Sequence, residues 1–335
     1  MLYLPCRSEE EYFAAVRSWQ PQEPWPVPPN VDAAAQRFEH LLSDEFSWDL
    51  GVRPGIVMAS GGGFTWGSAL LLATVTGREL RVVGQEALAD GLTAAVGRWT
   101  EVQAWAHAYR GCRGVGIMTG RSDVNVNLAV LKSLRTSRTR QGRSLFVFPG
   151  GAGSAHSDGI SASELRVAPP VQVLDVRSHG RWCCAVFPDG VVCGRQPFDF
   201  AEPVLLESET ERLPACVQGD GCFRDLTGAQ RIPADELDAE VVILESCRAF
   251  PPPGAVEPSE MSVALTAYQG NARAVIAAVG NFIPRGGDGI ALALLAGKNL
   301  SEAVGNFRDR VQGLALNEIA LLGDPAMTLG RGSRS

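Results

Sequence analysis

Short apolar runs alternate with amphipathic stretches along most of the chain. Residues 55–60, Gly-Ile-Val-Met-Ala-Ser, form a continuous apolar run, as a strand buried on both faces of a parallel sheet requires. A helix-like stretch over 65–76 and a second short run over 80–83 follow it. The same reading predicts a helix over about 86–94, a strand over 114–121, a helix over 124–134 and a strand over 145–148. Further strand-like runs stand at 171–176, Val-Gln-Val-Leu-Asp-Val, and at 241–244, Val-Val-Ile-Leu. Strands alternating with helices predict a mostly parallel sheet flanked by helices, an α/β fold.

The ends of the chain read differently. Residues 1–20 predict one amphipathic helix, with Ser8 as cap and Glu9, Glu10 and Glu11 in its first turn. Five prolines between 21 and 29 exclude a helix or a central strand and predict an extended arm. A helix over 31–44 follows. Toward the C-terminus, Ser259 with Glu260, Asp288, and Ser301 with Glu302 mark three helix starts, the second helix running through Leu295 and the third to about 315. The expected division is a helical and proline-rich segment over 1–50, an α/β region over 51–165, and a catalytic region over 166–335.

Two strand-like runs end in reactive residues. The run at 241–244 leads into Glu245-Ser246-Cys247-Arg248, and the run at 171–176 into Arg177-Ser178-His179-Gly180. The carboxyl ends of strands are where open α/β sheets gather their chemistry. A cysteine there with a histidine in reach is the requirement of a thiol nucleophile. Of the four histidines, His40 and His107 lie in helix-like segments. His156 lies in a glycine-rich loop over 150–159 and is the rival to His179, which ends a strand. Gly180 leaves the backbone beside His179 room for a close-packed substrate. Glu245 shares a strand face with Cys247 by the two-residue alternation. It therefore either meets a basic group in a pocket beside the thiol or simply ends the strand toward solvent.

These motifs resemble the caspase-like cysteine peptidases, in particular the gingipain and CHAT branch. A strand ending in His-Gly, a later strand ending in a short polar motif with cysteine, and the tail over 272–280, 297–304 and 321–329 carry the likeness. The Leu-Leu-Gly-Asp-Pro sequence at 321–325 is its most specific part. Glu-Ser-Cys departs from the Asn-Ala-Cys of CHAT proteins and is closer to metacaspases and paracaspases, which cut after basic residues. The resemblance implies a caspase-like α/β/α sandwich and a Cys247–His179 dyad. It also implies an oxyanion hole from the backbone amides of Gly180 and Cys247, and Glu245 as the substrate-binding carboxylate. No cofactor is required for that chemistry, although some relatives need calcium to become active.

Composition narrows the partners. The net charge of −7 argues against nucleic acid or an anionic membrane. No apolar run is long enough for a transmembrane helix, and residues 1–7 lack the features of a signal peptide. The expectation is a cytoplasmic protein acting on a protein or peptide substrate, with its eight cysteines as thiols. Cys193, Cys216 and Cys222 lack the spacing of a zinc site. The glycine turn at Gly61, Gly62 and Gly63 matches no phosphate-loop pattern, so nucleotide or small-molecule binding is the minor alternative. A catalytically silent interaction scaffold is another. Four arginines over 135–143 suggest a solvated loop and a possible self-cleavage segment.

Overall fold

The structure is a computed structural model that describes residues 3–41, 48–82, 91–109, 114–136, 144–147, 161–166, 168–187, 189–194, 230–250, 261–281, 289–310 and 318–329. The fold is mixed α/β with a large, mostly parallel sheet. The chain divides into two compact units, and neither is contiguous. The first holds residues 1–142, 287–312 and 321–335; the second holds 143–286 and 313–320. The C-terminal stretches thus belong with the N-terminal unit, where the sequence suggested one catalytic region from 166 onward.

The first unit begins with β1 (Tyr3–Pro5), α1 (Glu9–Ser18) and β2 (Trp25–Val27). Residues 1–20 are therefore not one helix. Ser8 does cap α1, accepting from the Glu11 amide, but the residues before it pair in parallel with β2 as a two-stranded ribbon. The proline arm is extended as expected and contributes Pro26 to that ribbon, where an edge strand tolerates the missing N–H. A 3₁₀ turn over Val31–Ala34 leads into α2 (Ala35–Leu41).

Next come β3 (Ile56–Ala59), α3 (Gly63–Thr76), β4 (Glu79–Val82), β5 (Thr93–Arg98), α4 (Trp99–Ala108), β6 (Val115–Gly120) and α5 (Asp123–Leu134). Strand β5 corrects the helix expected over 86–94, of which 86–90 lie outside the described residues. Its sequence, Thr-Ala-Ala-Val-Gly-Arg, is poor in strand formers, so local propensity favours a helix. Pairing with β3 on one side and β6 on the other overrides it. Helix α1 packs on α3 at Gly67, where an added Cβ would lie 2.2 Å from the Tyr12 ring. The buried Tyr12 hydroxyl meets Ser68 Oγ at 2.9 Å and accepts from Asn127 Nδ2 at 2.7 Å.

The second unit contains β7 (Ser144–Val147), α6 (Ala162–Arg166), β8 (Val171–Val176), β9 (Gly180–Arg181), β10 (Cys184–Phe187), β11 (Gly190–Cys193), β12 (Gln230–Pro233), β13 (Ala239–Leu244), α7 (Val263–Gln269) and β14 (Ala274–Ala278). Its parallel strands run in the order β14-β13-β8-β7, and a separate sheet has the order β12-β11-β10-β9. Helix α7 is capped by Ser262, whose side chain accepts from the Leu265 amide. Ser259, the expected cap, lies outside the described residues.

The chain then returns to the first unit through α8 (Gly289–Leu295) and α9 (Leu300–Arg310). Asn299, not Ser301, caps α9. Its Oδ1 accepts from the Glu302 amide at 2.8 Å while the Glu302 carboxylate accepts from the Asn299 amide, the reciprocal arrangement of a capping box. Strand β15 (Ile319–Leu322) joins the first unit's sheet beside β6, giving the order β4-β3-β5-β6-β15 there. Asp324, just beyond it, is fully buried between Arg78 and Arg53, with oxygen–nitrogen distances of 2.8–2.9 Å. This ion triad is what the Gly-Asp-Pro of the tail does. Among the described residues, no helix is long and apolar enough to cross a membrane.

Candidate active site

The site rests on the register of β8 against β13. Val173, Leu174, Asp175 and Val176 stand opposite Val241, Val242, Ile243 and Leu244. The register continues past both strands, because the Glu245 amide donates to the Val176 carbonyl at 2.9 Å. One position on, Ser178 Oγ and Ser246 Oγ hydrogen-bond at 2.8 Å in a buried setting. His179 and Cys247 each follow this serine pair in the sequence. Both residues therefore lie just past the carboxyl ends of two adjacent strands, His179 where the chain turns to pair with β10 and Cys247 in a turn. His179 is exposed and Cys247 half-buried.

Cys247 stands at the corner of a tight turn. The Ala249 amide donates to the Ser246 carbonyl at 3.2 Å, and Arg248 adopts the left-handed conformation with φ of 54°. A positive φ at the third residue is the mark of a type II turn, and a non-glycine residue holds it only where the surroundings fix it. Here they do. The Arg248 amide donates to the Gly280 carbonyl at 2.7 Å and the Phe250 amide to the Ala278 carbonyl at 2.9 Å. The chain beyond the cysteine is thereby laced to the end of β14.

Gly180 is required by close approach. A Cβ there would lie 2.6 Å from Ser246 Cβ and 2.9 Å from the Cys184 carbonyl oxygen. The His179 carbonyl accepts from the Val186 amide at 2.8 Å, so β10 holds the histidine segment from its other side.

Glu245 is buried, at 3% exposure. Its Oε2 lies 3.3 Å from Arg177 Nε, and Arg177 Nη2 donates to Asp175 Oδ2 at 2.6 Å. The carboxylate thus faces inward, two residues before Cys247 along the chain, rather than ending the strand toward solvent. Arg177 is the functional-site neighbour that the sequence reading did not single out. Its alternation with Asp175 and His179 was the available signal, but its meeting with Glu245 depends on the β8–β13 register.

His107 is a buried residue of α4 in the first unit. His156, residues 137–143 of the arginine segment, Cys216 and Cys222 lie outside the described residues. At the glycine turn, a Cβ on Gly63 would lie 2.7 Å from Glu9 Oε1. A carboxylate of the chain itself already sits at the N-terminus of α3, the position a phosphate would take. Among the described residues, no group of three or more His, Cys, Asp or Glu is arranged to hold a metal ion. No family model, curated protein or solved structure matches the chain.

Proposed function

We propose that the chain is a caspase-like cysteine endopeptidase that cleaves protein or peptide substrates after Arg or Lys. The observation that carries this reading is the pairing of β8 with β13, extended by the Ser178–Ser246 hydrogen bond to the residues directly before His179 and Cys247. A thiol and an imidazole on adjacent strand ends, both reachable from solvent, are the parts of a nucleophile and its general base.

In this mechanism His179 accepts the Cys247 proton and the thiolate attacks the scissile carbonyl carbon. The oxyanion is stabilised by preorganised backbone amides, those of Gly180 and Cys247 by the resemblance. Collapse of the tetrahedral intermediate breaks the C–N bond, and His179 delivers its proton to the leaving amine. Water then attacks the thioester, giving its proton to His179, and the thiol is regenerated. Glu245, buried two residues before Cys247, supplies negative charge toward a basic side chain before the scissile bond, sharing it with Arg177.

The test is cleavage of a peptide library read by mass spectrometry, with wild type, Cys247→Ala and His179→Ala in parallel. Wild type cuts after Arg or Lys and both variants lose activity, with circular dichroism unchanged. Wild-type rates in Cys247→Ala overturn the reading.

A further inference from the structure

We propose that Cys184 and Cys193 form a reversible cross-strand disulfide. The two residues are direct partners in the antiparallel pairing of β10 with β11. The type of pair follows from the hydrogen bonds around it. The Gly194 amide donates to the Cys183 carbonyl at 2.8 Å, which makes 183 and 194 a hydrogen-bonded pair and the adjacent 184 and 193 a non-hydrogen-bonded one. The other edge of β10 agrees. The Val186 amide turns toward β9, where it meets the His179 carbonyl, so residues 184 and 186 direct their backbone groups away from β11.

Opposed residues of a non-hydrogen-bonded pair have Cα atoms about 4.5 Å apart, with their side chains on the same face and closer than at any other antiparallel position. Disulfides span Cα separations of about 4.4–6.8 Å. The pair sits at the short end of that range, where a bond closes without backbone movement and reopens readily, the behaviour of a regulatory rather than a structural disulfide. Cys183 precedes β10 and its carbonyl accepts from the Gly194 amide, so the direct cross-strand partner of Cys193 is Cys184 and not Cys183. All three side chains are present as thiols, and Cys184 and Cys193 are buried, at 7% and 5% exposure, so exchange with an oxidant proceeds through local opening of the hairpin.

The oxidant is a low-molecular-weight disulfide. One cysteine, as thiolate, attacks a sulfur of that disulfide, forming a mixed disulfide and releasing one small thiolate. The second cysteine, as thiolate, attacks the protein-bound sulfur of the mixed disulfide and displaces the second small thiolate. The two protons lost by the protein thiols end on the two released thiols, and excess small thiol drives the sequence backward. The bond fastens β10 to β11 beside the strand that carries Gly180. Any effect on cleavage rests on the peptidase reading, whereas the disulfide itself does not.

The test reads the bond and not the activity. Cys183, Cys184 and Cys193 fall in a single tryptic peptide, from Trp182 to Arg195. The full-length protein is incubated with oxidised glutathione, alkylated, digested and mapped. The expected peptide is lighter than its reduced form by two hydrogens once alkylation is accounted for, with fragment ions placing the single alkyl group on Cys183. Treatment with dithiothreitol restores three alkylated cysteines. The bond persists in Cys183→Ala and is lost in Cys184→Ala and Cys193→Ala. Three alkylated cysteines after oxidation, glutathione adducts without ring closure, or a Cys183–Cys184 linkage each overturn the proposal. The wild-type fragment map alone decides it if a variant fails to fold.

Discussion

Ser178 and Ser246 share a buried hydrogen bond of 2.8 Å across 68 residues of sequence, directly before the histidine and the cysteine of the candidate dyad. Each hydroxyl satisfies the other where water is excluded. Removing one leaves its partner buried and unmatched, which costs about 1–3 kcal/mol. Ser178→Ala and Ser246→Ala are each expected to destabilise the second unit by that order, and the double variant by less than the sum. Urea unfolding of the four proteins measures the coupling. Strict additivity would show that the pair contributes nothing to holding the strand ends in register.

Gly180→Ala tests the other support of the site. The new methyl would meet Ser246 Cβ at 2.6 Å and the Cys184 carbonyl oxygen at 2.9 Å, neither of which is the flexible tip of a long side chain. The β9 segment must move, and His179 moves with it. The expected outcome is loss of cleavage by tenfold or more, on the order of 1.4 kcal/mol in the barrier, with most of the fold retained. A fully active Gly180→Ala would mean that the site tolerates a displaced histidine strand.

The strands that build the site were legible because their residues are apolar on both faces. Val171–Val176 and Ala239–Leu244 match the expected runs closely, and the polar residues that interrupt them marked the strand ends. What the sequence could not express is register. That Arg177 opposes Glu245, or Ser178 opposes Ser246, follows from how two strands align, not from the pattern within either. The helix expected over 86–94 overlaps β5 only at Thr93 and Ala94, and it is pairing with β3 and β6 that makes those residues a strand. The hairpin of β10 and β11 went unnoticed for a related reason. Its strands are short, and the chain between Cys184 and Cys193 reads locally as a polar turn between two brief apolar pieces.

Asp324 offers a pH test of the tail. Burial alone would raise its pKa, but the Arg78 and Arg53 guanidinium groups outweigh that and hold it below the ordinary aspartate range. A depressed native pKa means that the unfolded chain binds the proton more readily. The stability the group contributes is therefore complete above the unfolded value of about 3.9 and is lost as pH falls through the lower native value. Asp324→Asn removes the charge between two buried arginines, a loss of about 3–5 kcal/mol. Thermal melts should show a large gap between wild type and variant at neutral pH. That gap should begin to close only below about pH 4. A gap that is constant down to pH 2 would exclude the ion triad as its source.

The last prediction concerns substrate choice and rests on the peptidase reading. Glu245 is buried two residues before Cys247, with Arg177 Nε 3.3 Å from its carboxylate. Asp175 engages the same guanidinium, so two carboxylates converge on one arginine beneath the dyad. A substrate Arg or Lys reaching toward Glu245 gains a charge-assisted contact of about 1.5–3 kcal/mol, roughly ten- to a hundredfold in rate. Glu245→Gln keeps the shape and removes the charge. The ratio of kcat/KM for matched Arg and Gln peptides should fall by that factor, while kcat/KM for the Gln peptide changes little. A thermal melt of the same variant separates the two roles of the residue, because losing the contact with Arg177 lowers Tm whether or not substrate choice shifts. If Tm falls and the peptide ratio survives, Glu245 serves only to pair with Arg177, and basic specificity has to arise from other residues around the thiol.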